Sequence, residues 1–205
     1  MNYQNFSPRN FQQIPTVVKY ILIINVVLFA LKSFIPALEL DRWLDLFPIG
    51  DESFKPHQFI TYMFMHASVS HIFLNMLAVY MFGSILEGIW GTKRFLNFYI
   101  ICGLGAAALQ VLINQFNHDF AILLGASGSV FGLLVAFAMM FPNTELNIYF
   151  VLPVKAKYVV GFYALYELYG AFRANDNIGH VAHLGGLITG VIIMLIWKKN
   201  RNFFF

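Results

Sequence analysis

Residues 124–141 read LGASGSVFGLLVAFAMMF and contain no charged side chain. Such a run is long enough to cross the hydrocarbon core of a bilayer, which takes about 20 residues as a helix. Near its start lies Ser127, and a hydroxyl in such a helix ordinarily bonds back to its own backbone. The stretch therefore predicts a transmembrane helix. Ser127 can act as a nucleophile only if a base lies within reach of its hydroxyl.

The composition indicates that the whole chain is a membrane protein. Hydrophobic residues make up 59% of its 205 residues and charged residues 11%, against roughly 45–50% and 25% in soluble domains. Uncharged runs separate the charge clusters, for example from Lys55 to Glu87 and from Asp176 to Lys198. We therefore expect an all-α, polytopic membrane protein with one domain over residues 1–205. The six spans are placed near residues 17–35, 70–86, 95–113, 124–141, 156–172 and 179–197.

Basic residues divide unevenly between the loops, which predicts that both termini are cytoplasmic. The net charge of +3 is then a consequence of topology, so the expected partner is the lipid bilayer and not nucleic acid. On the outer side lie only Arg42, Lys55 and Arg173, with Lys32 closing the first span. On the inner side lie Arg9, Lys19, Lys93, Arg94, Lys155, Lys157, Lys198, Lys199 and Arg201.

Polar side chains from three spans are predicted to lie at one depth. With 1.5 Å of rise per residue, Asn75 lies about 7 Å, Ser127 about 4–5 Å and His183 about 6 Å into spans that all run inward from the outer face. His71 is four residues before Asn75 and so shares its helix face. Ser127 at a helix N-terminus has backbone N–H groups beside it that suit a developing oxyanion. A serine, a histidine and hydrogen-bond donors are the minimum set for acyl transfer.

Two of these residues also have alternative interpretations. Ser127 alone is more often a packing residue, because Gly128 and Gly132 form a small-xxx-small face for close helix approach. The helix of His183 repeats this spacing of glycines. His180 lies closer to the outer face than His183, so spacing alone does not decide which of them is the base.

Other polar residues have equally ordinary explanations. Asn75 could simply link two helices, and His66, which precedes its helix, could bond to loop carbonyls. On span five, Tyr163, Tyr166 and Glu167 could line a route for a substrate, but they fit equally well as packing and interface residues.

Four motifs then occur in a fixed order along the chain. In that order they resemble the rhomboid family of intramembrane serine proteases, and the resemblance covers essentially all the spans. It implies transmembrane proteins as substrates, no cofactor and no metal, and a bacterial cytoplasmic membrane with the active site facing the outer side. The motifs are His66-x4-His71-x3-Asn75, Gly83-Ser84-Ile85-Leu86-Glu87 through Gly91, Gly125-Ala126-Ser127-Gly128 with Gly132, and Ala182-His183-x-Gly185-Gly186-x3-Gly190.

The resemblance also implies a role for each matching position. Ser127 is the nucleophile and His183 the general base, a dyad without the aspartate of soluble serine proteases. The resemblance therefore does not assign the role of base to His180. The backbone N–H of Ser127 and the side chains of His71 and Asn75 form the oxyanion hole. Supporting positions are His66, Gly125, Gly128 and Phe131.

Two positions depart from the family pattern. Phe131 replaces a tyrosine that stacks on the base in many members, which keeps an aromatic face and loses a hydroxyl. The first outer loop reads Asp41-Arg42-Trp43 in place of a Trp-Arg dipeptide, leaving the contacts of that loop open. Side chains of this loop that suit the membrane interface are Trp43, Leu44, Leu46 and Phe47.

Two competing functions remain. An inactive relative would bind membrane proteins without cleaving them, but its mark would be loss of Ser127 or His183, and both are present. A metal site could be formed by His66, His71, His180 and His183. The sequence disfavours it, because we find no His-Glu-x-x-His motif and expect no carboxylate beside these histidines within the spans.

Overall fold

The computed structural model describes residues 13–117, 120–148, 152–173 and 179–199. Arg9 and Arg201 of the charge argument lie outside these ranges. The helices are α1 (Thr16–Phe34), α2 (Leu40–Leu44), α3 (Gln58–Thr61), α4 (Val69–Ala78), α5 (Ser84–Trp90), α6 (Thr92–Asn117), α7 (Ser127–Met140), α8 (Ala156–Arg173) and α9 (His180–Lys199). Two short antiparallel strands, β1 (Glu145–Ile148) and β2 (Leu152–Lys155), form a hairpin before α8.

The predicted polytopic helical bundle is confirmed, and each predicted span coincides with helical structure. Four helices of the described residues are long and apolar enough to cross a membrane: Thr16–Phe34, Val69–Trp90, Thr92–Asn117 and His180–Lys199. The helix Val69–Trp90 consists of α4 and α5 joined by a π-helical turn over Val79–Gly83. Helix α7 is apolar but shorter, and α8 carries Lys157, Glu167 and Arg173.

The start of α7 differs from the sequence prediction. The helix begins at Ser127 and not at residue 124, because Gly125 adopts a φ of +116° that no helix accommodates. Just before it, Leu123 exchanges two backbone hydrogen bonds of 2.9 Å with Leu46. This bridge also buries Leu46, so the interfacial position expected for that side chain is wrong. Trp43 is 51% exposed, as an interfacial residue would be.

A buried carboxylate anchors the first helix to the second span. Glu87 of α5 is buried, and its two oxygens accept hydrogen bonds of 3.0 and 2.9 Å from the N–H groups of Val17 and Val18. These donors belong to the first turn of α1, where backbone N–H groups lack helical partners and the helix dipole favours a negative charge. Glu87 therefore fixes the N-terminal end of α1 against α5.

Glycines set the spacing of α7 and α9. A Cβ added to Gly186 would lie 2.6 Å from the carbonyl carbon of Gly128, and one at Gly190 would lie 3.0 Å from the Cα of Gly132. The two backbones thus meet without side chains between them, as the small-residue pattern predicts. On its other side α9 meets α6, where a Cβ at Gly185 would lie 2.8 Å from the Cα of Ala106.

Candidate active site

The N-terminal ends of α7 and α9 bring Ser127 and His183 together. Ser127 is the first residue of α7, and its Oγ lies 2.7 Å from Nε2 of His183, one turn into α9. The His183 side chain is 13% exposed and Ser127 is half-buried, so the pair is shielded and still accessible. This is the hydrogen bond that an activated serine requires.

An aromatic ring restrains the histidine. Phe131, four residues after Ser127, stacks on the imidazole of His183 with ring centroids 4.6 Å apart and an interplanar angle of 15°. Phe131 also makes a T-shaped contact with Tyr163, with ring centroids 6.2 Å apart. Stacking fixes the plane of the imidazole, but phenylalanine has no polar atom that could orient the ring within that plane.

Two possible oxyanion donors lie beside Ser127. Its own backbone N–H belongs to the first turn of α7, which has no helical acceptor. His71 accepts a 3.4 Å hydrogen bond from the Ala67 N–H at Nδ1, which leaves Nε2 as the protonated nitrogen. A Cβ at Gly125 would lie 2.8 Å from that Nε2 and 3.7 Å from Ser127 Oγ, so both groups flank this glycine.

Asn75 and His66 surround His71. The Asn75 side-chain nitrogen donates 2.9 Å to the carbonyl of His71, which leaves its second N–H for another acceptor. The ring of His66 is buried and meets the ring of His71 edge-on, with centroids 4.9 Å apart. The backbone carbonyl of His66 accepts a 3.2 Å hydrogen bond from Nζ of Lys32. Burial lowers the pKa of His66 to about 3, so this ring is neutral at physiological pH.

A buried carboxylate with no role assigned from the sequence lies against His183. Glu167 of α8 is buried, and its Oε2 lies 2.6 Å from Nδ1 of His180 and 3.1 Å from Nδ1 of His183. The expectation that no carboxylate accompanies these histidines within the spans is therefore wrong. A carboxylate in a transmembrane segment is expensive and is by default a sign of a functional site, which was the available signal.

The histidines of the metal hypothesis separate into two pairs. Among the described residues, His66 contacts His71, whereas ligand atoms of His180, His183 and Glu167 all lie within 4.8 Å of one another, a spacing that could hold a metal ion. Nε2 of His183 bonds to Ser127, and His180 holds Glu167. The four predicted ligands therefore do not surround one point.

Comparisons with known proteins identify the family of the chain. The Rhomboid domain matches residues 53–200 of the chain. A Bacillus subtilis protein named "Putative rhomboid protease YdcA" is 28% identical over 98% of both chains. Rhomboid protein 1, mitochondrial, of Saccharomyces cerevisiae is 31% identical over 63% of this chain and 38% of its own length. RHOMBOID-like protein 12, mitochondrial, of Arabidopsis thaliana is 27% identical over 76% of this chain and 51% of its own length.

The chain thus spans about half or less of these two mitochondrial relatives, and almost the whole bacterial one. The family match and the apolar helices together make this a multi-pass integral membrane protein. The chain belongs to the rhomboid family, whose members act on membrane proteins within the bilayer.

Proposed function

We propose that this protein is a serine endopeptidase that hydrolyses peptide bonds in or near transmembrane segments of other membrane proteins. Ser127 is the nucleophile and His183 the general base. The observation that carries the proposal is the 2.7 Å contact between Ser127 Oγ and His183 Nε2 at the N-terminal ends of α7 and α9. Family membership and the rhomboid protease named among its relatives support it.

The reaction follows from the positions of these two side chains. Neutral His183 accepts the Ser127 proton at Nε2 while Oγ attacks the substrate carbonyl carbon, and a tetrahedral oxyanion forms. The C–N bond then breaks, and the proton on Nε2 passes to the leaving amine. A water molecule that gives its proton to the same nitrogen hydrolyses the acyl-enzyme and frees Ser127.

Donors around Gly125 stabilise the oxyanion. We assign this role to the backbone N–H of Ser127, to Nε2–H of His71 and to the free N–H of Asn75. His66 supports His71 from behind. Gly125 leaves room for the His71 ring, since a Cβ would lie 2.8 Å from it, and Gly128 permits the approach of α9. Each donor of this kind typically contributes about 10²–10³-fold to kcat.

The site lies close to one membrane face. Ser127 and His183 stand within the first turn of their helices, where a water-filled cavity can reach them while the surrounding helices exclude lipid. The sequence-based topology directs this face outward, and the bacterial relative favours a cytoplasmic membrane. A substrate helix must unwind locally there, because a helical peptide bond shields its carbonyl from attack, and helix-breaking residues lower that cost.

Cleavage of a tagged single-span substrate by the purified protein in liposomes tests the proposal. Ser127→Ala and His183→Ala are each expected to lose at least about 10³-fold in rate. Ser129→Ala is the matched control, because Ser129 lies two residues away and its hydroxyl donates to the Tyr99 carbonyl at 2.8 Å instead of facing His183.

The outcomes separate the competing functions. Cleavage that persists in Ser127→Ala would refute the mechanism. Loss of activity with a chelator, together with resistance to a serine-directed fluorophosphonate, would favour the metal hypothesis. A protein that captures transmembrane segments and cleaves none would be the inactive relative.

A further inference from the structure

Glu167 occupies an unusual position for an ionisable side chain. It lies in the second half of α8, is 3% exposed, and faces α9. Burying a carboxylate inside a helical membrane protein costs free energy unless polar partners surround it. Its partners are two histidines of α9, His180 and His183, whose Nδ1 atoms lie 2.6 and 3.1 Å from the same oxygen, Oε2.

The two ring nitrogens of His183 face different partners. Nε2 lies 2.7 Å from Ser127 Oγ, and Nδ1 lies 3.1 Å from Glu167 Oε2. Nδ1 and the carboxylate are not aligned for a hydrogen bond, so their contact is electrostatic. For Nε2 to accept the serine proton, the ring must carry its own proton on Nδ1. A carboxylate beside Nδ1 favours that tautomer and the cation that forms next.

The packing of α8 on α9 holds this carboxylate in place. Gly170 lies three residues after Glu167 and therefore on the same face of α8. A Cβ there would lie 2.6 Å from Cγ of His180, so the ring of His180 packs on bare backbone. The short hydrogen bond from His180 then fixes Glu167 Oε2, and Tyr166 meets the His180 ring edge-on at 5.6 Å.

We propose that Glu167 is a positioning residue for His183, which extends the pair to a Ser127–His183–Glu167 arrangement with His180 as the support of the carboxylate. This inference rests on the proposed protease function. When the Ser127 proton moves to Nε2, His183 becomes a cation and Glu167 pairs with it. The carboxylate receives no proton, and the later transfer from Nε2 to the leaving amine restores the neutral ring.

Glu167→Gln tests this role, since glutamine keeps the size and an acceptor oxygen and removes the charge. We expect kcat for the single-span substrate to fall about 10–100-fold with KM within threefold of the parent, because substrate contacts are unchanged. Glu167→Asp, which retains the charge, should recover part of the loss. Glu39→Gln, at an exposed position, is the matched control with parental kcat.

The pH profile separates positioning from simple structural support. Among the described residues, the titratable groups that face the His183 ring are Glu167 on α8, His180 on its own helix and His71 on α4. Of these, only Glu167 is changed, so the acid limb of kcat/KM is expected at lower pH in Glu167→Gln and at parental pH in Glu167→Asp. An unmoved acid limb with kcat within threefold of the parent would overturn the proposal and leave Glu167 as a structural partner of His180.

A second measurement needs no variant to fold. Solid-state 15N NMR of histidine-labelled parent protein should show His183 protonated at Nδ1 and unprotonated at Nε2, and the opposite tautomer would overturn the proposal. Failure of the protease function is recognised separately, because the parent would then show no cleavage and no labelling of Ser127 by a fluorophosphonate.

Discussion

Adding one methyl group at Gly186 should separate Ser127 from His183. Helices α7 and α9 meet backbone to backbone, and a Cβ at Gly186 would lie 2.6 Å from the carbonyl carbon of Gly128 and 3.0 Å from its Cα. Carbon atoms in contact need about 3.5 Å, so Gly186→Ala must move the helices apart by about 1 Å. The backbone of Gly128 cannot turn aside as a flexible side chain would.

This displacement falls where the chemistry is proposed. Ser127 directly precedes Gly128, and His183 lies three residues before Gly186 on the same face of α9. A shift of about 1 Å directed along the line between Oγ and Nε2 would lengthen their 2.7 Å contact to about 3.7 Å, which is beyond hydrogen-bond range. A misplacement of about 1 Å typically costs about 10²-fold in rate. Overpacking should also lower the free energy of unfolding by about 1–3 kcal/mol.

The assay is cleavage of the single-span substrate in liposomes, with fluorophosphonate labelling of Ser127 and thermal unfolding measured in parallel. Gly161→Ala is the matched control, because a Cβ at that position on α8 meets nothing within 4 Å. Gly190→Ala is a graded variant, since its Cβ would lie 3.0 Å from the Cα of Gly132, and it should lose less than about tenfold. A folded Gly186→Ala protein that cleaves within threefold of the parent would refute the reasoning.

Two further predictions concern buried carboxyl groups away from the site. Glu87→Gln removes one of the two hydrogen bonds from the N–H groups of Val17 and Val18, because the amide nitrogen cannot accept, and leaves the other without its charge. Thermal unfolding should therefore show a loss of about 1–3 kcal/mol. A loss no larger than that of the exposed Glu39→Gln would contradict the anchoring role of Glu87. In the first outer loop, burial raises the pKa of Asp45 to about 7, above the unfolded value of about 3.9. The stability that this group contributes is therefore complete below about pH 4 and lost as the pH rises through 7. Asp45→Asn should accordingly gain stability relative to the parent between pH 5 and pH 8, by up to about 4 kcal/mol; a difference that stays constant with pH would show that the Asp45 carboxyl does not titrate in this way.

The positions of four spans could be predicted from the sequence because each lies in an uncharged run between charge clusters. The start of α7 could not, since it depends on a contact between distant segments. Leu123 pairs with Leu46 across the first outer loop, and the chain then turns at Gly125 with positive φ before the helix begins. The turn lies within an uncharged run, so the spacing of the charge clusters does not locate the start of the helix.

The meeting of Ser127 and His183 could be anticipated because depth within a helix follows from residue count, and both residues lie at the start of their spans. Depth alone did not separate His180 from His183, because the two share a helix face and lie about 4.5 Å apart along it, on either side of the depth of Ser127. What separates them is lateral position. His183 faces α7 and the serine, whereas His180 packs on Gly170 of α8.

Glu167 was left unassigned for a related reason, because its role depends on the rotation of α8 about its axis. Large apolar and aromatic side chains occupy much of this helix, so hydrophobicity does not identify the inner face. The buried positions of α8 do, and they are Ala156, Val159, Glu167 and Gly170. They share one face at helical spacing. A carboxylate exposed to lipid would cost free energy, and a glycine there would not serve helix packing, so these two residues mark the inner face. Glu167 and Gly170, three positions apart, therefore indicate which face of α8 packs on its neighbours. On that face the carboxylate of Glu167 contacts the proposed base, His183.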